Sequence, residues 1–180
     1  MTPPPSSPPP ARARVVVIGG GIAGCSLLHH LARLGWSDAL LLEKGQLTSG
    51  STWHAAGLCT QLHASRNVTK LLMRSMALYS ELEAGQPGGI GLHRTGSVRL
   101  ATTADRLDEF RARAGAARTL GLDLRVIGPD EVAELFPLAR VDDLLGAAHL
   151  PGDGHIDSTS LTMALAERAR AAGASILTRT

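Results

Sequence analysis

Cysteine is scarce in this chain: two residues in 180, Cys25 and Cys59, with no CxxC pair. That spacing speaks against a disulfide framework and reads as free, reduced, largely buried thiols in a cytosolic protein. No apolar run is long enough to span a bilayer, and the first residues lack the apolar core of a secretory signal. Location is therefore expected to be cytoplasmic, with no membrane partner. Net charge is only +2, which advertises neither nucleic acid nor an anionic membrane. Aromatics make up 3% of the chain. Arg106, Arg111, Arg113 and Arg118 recur along one predicted helix without any aromatic platform, so they read as a solvated face and not as a phosphate track. His29 and His30 have no acidic or cysteine partner at ligand spacing, and no metal site is expected. What is present, 44% hydrophobic and 19% charged residues, is ordinary globular composition.

The informative stretch runs from Val15 to Gly57. Val15-Val16-Val17-Ile18 is a β-branched run suited to a parallel strand covered on both faces. It stops at Gly19, Gly21 and Gly24, the GxGxxG spacing. The first glycine lets the chain turn sharply, the second lets a diphosphate approach bare backbone, and the third lets helix pack closely on strand. Ile22 to Leu34 then predicts a helix with Leu27, Leu28, Leu31 and Leu34 on one face and Gly35 as its stop. Its unpaired N-terminal N–H groups and positive dipole end favour an anion at the glycine turn. Ala39 to Leu42 reads as a second strand with Glu43 at its carboxyl end, where a carboxylate can accept both hydroxyls of a ribose. The fold class is therefore α/β, a Rossmann-like dinucleotide-binding domain. Strand, glycines, helix and acid do not by themselves separate FAD from NAD.

The rest of the chain is less explicit. Met1 to Pro10 is mostly proline, serine and threonine, and residues 1–13 are expected to form a disordered leader. Asn67 to Glu83 carries apolar residues at helical spacing and reads as a packing helix ended by Gln86-Pro87-Gly88-Gly89. Short strands are expected at Gly91–Arg94 and Ser97–Ala101, then a helix capped by Thr103 or Asp105, a strand over Leu124–Ile127, and a short helix from Pro129 that stops before Phe136. Pro151 to Asp157, PGDGHID, reads as a Gly-Asp-Gly turn leading to a helix through Arg170, capped by Asp157 or Ser158. His155 reads as a turn histidine with a lesser claim on a site. A strand follows at Ala174–Thr178. The expected organisation is a dinucleotide domain over 14–90, an inserted α+β substrate-domain segment over 91–144, and a return to the first domain over 145–180. A last parallel strand with an open apolar edge is expected of an incomplete sheet.

Beyond Glu43 stands Ser49-Gly50-Ser51-Thr52-Trp53-His54-Ala55-Ala56-Gly57. This segment resembles the flavin-attachment loop of the dimethylglycine and sarcosine dehydrogenase family, among the D-amino-acid-oxidase-like flavoproteins, whose motif reads much like TWHAAGL. The resemblance runs from Arg14 to Thr180 and implies only the amino-terminal part of a longer architecture. It implies FAD, bonded covalently to His54 at the flavin methyl carbon. Neutral imidazole is a suitable nucleophile for that attachment. The implied cofactor-binding set is Gly19, Gly21, Gly24, Glu43, Lys44, Ser51, Thr52 and His54. The implied activity is oxidation of an N-methyl group of a glycine-type amine to an iminium, with formaldehyde released or one carbon passed to tetrahydrofolate in a longer relative. No residue carries an acid or base role by motif. Oxygen and an electron-transfer protein both stay open as acceptor. Two alternatives remain. The pyruvate dehydrogenase phosphatase regulatory-subunit branch looks similar and is noncatalytic, but by that resemblance it keeps neither the histidine nor the Gly-Asp-Gly turn. A nicotinamide enzyme would have no use for the loop around His54.

Overall fold

Strand β1 (Val15–Ile18), four β-branched residues with an intrinsic preference for extended backbone, pairs in parallel with β2 (Ala39–Glu43). The computed structural model describes residues 10–180. Nearly all of the proline-rich leader lies outside that range. The described chain divides into two compact units, one comprising residues up to 57 with 81–91 and 156–180, the other residues 58–80 and 92–155.

In the first unit, α1 (Ile22–Arg33) connects β1 to β2 as a parallel crossover. A later helix, α5 (Ser158–Ala171), leads to β8 (Ser175–Thr178), which also runs parallel to β2. The sheet order is β1-β2-β8. Strand β2 is central, and its Ala39, Leu40 and Leu41 are buried, as expected for a strand flanked on both sides. Strand β1 differs from the reading above. It lies at the sheet edge and exposes Val16 by 49% and Ile18 by 86%, so within the described residues only one of its faces is covered.

Helix α1 packs along α5, but with only part of the leucine face that its sequence suggests, since Leu28 is buried and Leu31 half-buried. Leu27 and Leu34 are 50% and 75% exposed. The buried positions are Cys25, Leu28, His29 and Ala32, which follow one another at helical spacing. The reason is local. A Cβ on Gly24 would lie 1.9 Å from the Gly19 carbonyl oxygen, so the side of the helix next to Gly24 sits hard on the turn. Its small and apolar neighbours face the alanine-rich surface of α5, where Ala164, Ala166 and Ala169 are buried. Asp157 caps α5, accepting from the Ser160 N–H at 2.5 Å, which satisfies one of the orphan donors of the first turn.

The second unit is built on a three-stranded antiparallel sheet of order β4-β6-β5: β4 (Ser97–Ala101), β6 (Gly146–Leu150) and β5 (Arg125–Ile127). Between them run α3 (Ala104–Arg118), capped by Thr103, and α4 (Pro129–Leu135). Leu107, Phe110 and Ala117 of α3 pack with Ala101, Ala148 and Leu150 in one apolar cluster. The expected strand at Gly91–Arg94 is reduced to a single bridge between His93 and His155, whose rings stack at 5.0 Å. A two-residue pair, β3 (Leu58–Cys59) with β7 (Gly154–His155), completes this unit. Asp153 in the Gly-Asp-Gly turn is fully buried. Its carboxylate accepts from the Gln61 N–H at 2.9 Å and the Ser97 hydroxyl at 2.7 Å, so the turn anchors two other segments. Helix α2 (Arg66–Gly85) contributes its first residues to this unit and its last to the other.

Candidate functional site

The glycine turn behaves as its chemistry requires. Gly19 has φ of +105°, a region that favours glycine, and its N–H reaches the Leu42 carbonyl at 2.8 Å. The turn thereby hangs from the end of β2. Gly20 is enclosed, since a Cβ there would lie 2.5 Å from Leu47 and 3.0 Å from Glu43. Gly21 precedes α1 in an extended conformation with no side-chain cap of its own.

The cap comes from a distant residue. Thr52 is buried, and its hydroxyl oxygen accepts from the Ile22 N–H at 3.0 Å. A Cβ on Gly21 would lie 2.9 Å from that same oxygen. The serine-threonine segment is thus folded over the start of α1, and the Thr48 N–H reinforces this by donating to the Gly20 carbonyl at 3.0 Å. Thr48 itself has φ of +69°, a strained setting for a β-branched residue.

Glu43 is brought against the same turn. One carboxylate oxygen accepts from the Gly20 N–H at 2.6 Å, the other from the Gly45 N–H at 2.7 Å. Those bonds, Gly20 first and Gly45 second, hold its carboxyl below the usual carboxylate range. Glu43 is therefore an anion at neutral pH, with lone pairs left over, because a carboxylate offers about four acceptor positions. Beside it, Cys25 is buried and its thiol is pushed up to about 11, chiefly by burial, so it stays a neutral packing group.

His54 ends a 3-10 turn, Ser51–His54, and is exposed. Its Nδ1 lies 3.1 Å from the Gly50 carbonyl oxygen. A carbonyl only accepts, so Nδ1 carries the proton at this contact, and in neutral imidazole Nε2 is left with the lone pair. Trp53 stacks on the ring at 3.9 Å in a tilted arrangement. The far end of the loop is clamped. The Ile156 N–H donates to the Gly57 carbonyl at 2.9 Å, and a Cβ on Gly57, whose φ is +70°, would sit 2.0 Å from the Ile156 oxygen.

Of the eight residues singled out from sequence, Gly19, Gly21, Gly24, Glu43 and Thr52 converge on one turn. Lys44, Ser51 and His54 are exposed around it. Sequence reasoning missed Gly20, Gly45, Thr48 and Gly57. Their signal was only a glycine or threonine in a loop already rich in both. The set fits a dinucleotide. The turn is walled by positions that admit no side chain, α1 has no acid in its first turn to repel a diphosphate, and Glu43 keeps acceptor capacity for ribose hydroxyls. Among the described residues no cluster of His, Cys, Asp or Glu could hold a metal ion, and no helix is long and apolar enough to cross a membrane.

Comparison with known proteins bears on the same region. A sequence model described as FAD dependent oxidoreductase matches residues 14–180. Mitochondrial dimethylglycine dehydrogenase of Rattus norvegicus is 48% identical over 154 residues, covering 86% of this chain and 18% of that protein. Mitochondrial sarcosine dehydrogenase of Homo sapiens is 42% identical over 88% of this chain and 17% of its own length. The mitochondrial pyruvate dehydrogenase phosphatase regulatory subunit of Mus musculus is 40% identical over 89% of this chain and 18% of its length. The chain thus spans under a fifth of these relatives. Among solved structures, L-proline dehydrogenase from P. horikoshii superposes with a TM-score of 0.88 at 28% identity, covering 94% of this chain and 45% of that one. These relatives correct the cytoplasmic expectation, since the three of them are mitochondrial by name. That expectation rested on reduced thiols and the lack of an apolar secretory core. Neither property separates cytosol from mitochondrion, because mitochondrial targeting segments are amphipathic and not apolar.

Proposed function

The chain belongs to the FAD dependent oxidoreductase family, and from that premise we propose that it forms the nucleotide-holding part of an amine dehydrogenase. The substrates are N-methylated glycine-type amines such as dimethylglycine or sarcosine, the class that the relatives' names point to. The observation that carries this reading is the convergence of Glu43, the glycine turn and Thr52. The first loop after β2 is locked onto the start of α1 by a hydrogen bond from Ile22 to Thr52, with His54 two residues further along.

In this assignment the Gly19 to Gly24 turn and the N–H groups of the first turn of α1 beyond Ile22, whose own N–H is held by Thr52, bind the diphosphate, where positive dipole and bare backbone coincide. Glu43 orients the adenosine ribose. Ser51 and Lys44, both exposed beside the turn, supply a hydroxyl and a cation to the outer face of the cofactor. His54 presents Nε2 as the tethering nucleophile, its ring oriented by the Gly50 carbonyl and by Trp53. FAD, when bound, supplies acceptance of a hydride equivalent from the carbon next to the amine nitrogen. None of the described residues is assigned to tetrahydrofolate.

A noncatalytic reading, in which the same fold serves a regulatory subunit, is supported by the similarity to the phosphatase regulatory subunit. The experiment that separates the two is flavin fluorescence of the protein band after acid denaturation, with His54→Ala beside it. A fluorescent band that disappears in the variant is the expected result. A dark wild-type band in protein that binds free FAD when folded overturns the tether and favours the noncatalytic reading.

A further inference from the structure

A cavity of about 270 Å³ lies within the second unit, between the start of α2 and the end of α3. None of the residues assigned to the flavin lines it. Its floor is apolar, made by Leu62, Ala117 and Leu120, of which Leu62 and Ala117 are buried. Its rim carries three nitrogen donors, His63, Arg66 and Arg113, and no lining residue is a carboxylate.

The three donors differ in how far they are already engaged. Arg113 shares its guanidinium with Glu109 at 2.5 Å along α3. Arg66 has no ion pair or side-chain hydrogen bond among the described residues. His63 accepts the Ser65 N–H at Nδ1, 3.1 Å away, which places its proton on Nε2 and makes that nitrogen a donor. Arg66 also opens α2, whose first turn contains no acid, so the helix dipole adds to the positive potential there. Arg66 and His63 are exposed at the rim, and a planar carboxylate is the group that best matches a guanidinium with no other ion pair. The volume lies just below the range of about 300–1,000 Å³ typical of drug-sized ligand sites, which limits the body of a ligand to one small ring or short chain.

We propose that this cavity is a binding site for a small amphipathic carboxylate, with the acid group on Arg66 and His63 and the apolar body on Leu62, Ala117 and Leu120. None of the residues assigned to the flavin lines the cavity, and the proposal does not depend on the function assigned to them.

The test is a titration of the purified protein with 4-fluorobenzoate, read by fluorine NMR line broadening, with 4-fluorobenzyl alcohol as the neutral counterpart. Saturable binding of the acid is expected, weakened about tenfold in Arg66→Gln through loss of a charge-assisted hydrogen bond. The alcohol is expected to bind at least about tenfold more weakly than the acid. Ala116→Trp, at an exposed rim position, is expected to abolish binding by filling the cavity, and it supplies a second readout should Arg66→Gln perturb the fold. Absence of saturable binding overturns the proposal. So does acid binding that survives both substitutions, which would place the probe elsewhere, and so does an alcohol that binds as tightly as the acid.

Discussion

Replacing Glu43 by glutamine probes the junction between turn and acid without changing its size. The carboxylate accepts two backbone N–H groups, from Gly20 and Gly45. Glutamine keeps one acceptor oxygen and turns an NH₂ group toward the second donor, so one charge-assisted bond is lost and one N–H faces another donor. A hydrogen bond to a charged group contributes about 1.5–3 kcal/mol, and the half-buried setting favours the lower part of that range. The expected loss is about 2 kcal/mol, or roughly thirtyfold in the folding constant. The assay is urea unfolding of the flavin-free protein followed by tryptophan fluorescence. The pH dependence carries the sharper test. Because hydrogen bonds from Gly20 and then Gly45 lower the folded-state value, the stabilisation is complete above the unfolded carboxyl value of 4.5 and fades as pH falls through the lower folded value. Glu43→Gln should therefore approach wild type in acid. An unchanged urea midpoint at pH 7, or a deficit that persists undiminished at about pH 3, would refute the reasoning.

Two further perturbations follow from the same geometry. Thr52→Val removes the acceptor for the Ile22 N–H at nearly constant volume and should cost about 1 kcal/mol, while Thr52→Ser should retain most of it; equal unfolding midpoints for all three proteins would deny the cap. His29 is buried with no partner on either ring nitrogen, and burial first, then His30, Arg33 and Arg168 against an opposing Glu81, pushes its imidazole below the ordinary 6.5. Stability is then full above 6.5 and declines as pH falls through that value, because the unfolded chain takes up the proton first; His29→Leu should flatten the melting temperature between about pH 6.5 and 5, and an identical decline in both proteins would assign the acid sensitivity elsewhere.

What could be read from sequence was what is local. The run Val15 to Ile18, the glycine spacing, α1, β2 and the acid at its end follow from neighbours along the chain, and so do the Thr103 and Asp157 caps. Strand β6 escaped because Gly-Ala-Ala-His-Leu has little intrinsic strand preference. It is a strand because it lies between β4 and β5, with every residue buried. The inward face of α1 is rotated from the leucine face, keeping Leu28 but exposing Leu27 and Leu34, because leucine count is a weaker guide than the contact at Gly24. Within the site, the spacing named the glycines and Glu43, but the bonds that unite them, Ile22 to Thr52 and Gly20 to Glu43, join residues far apart in the chain. Such pairings depend on tertiary closure, which no local pattern encodes.

The clamp of Gly57 by Ile156, together with the pairing of Glu43 with Thr178, has a bearing on how the protein is made. The glycine turn and its loop leave the ribosome well over a hundred residues before the strand that flanks them, an interval on the order of ten seconds at ordinary elongation rates. Until then β2 has an unoccupied side and the loop has no anchor at its far end. Long-range parallel pairing closes slowly, so the proposed nucleotide site takes its final form only after α5 and β8 have emerged.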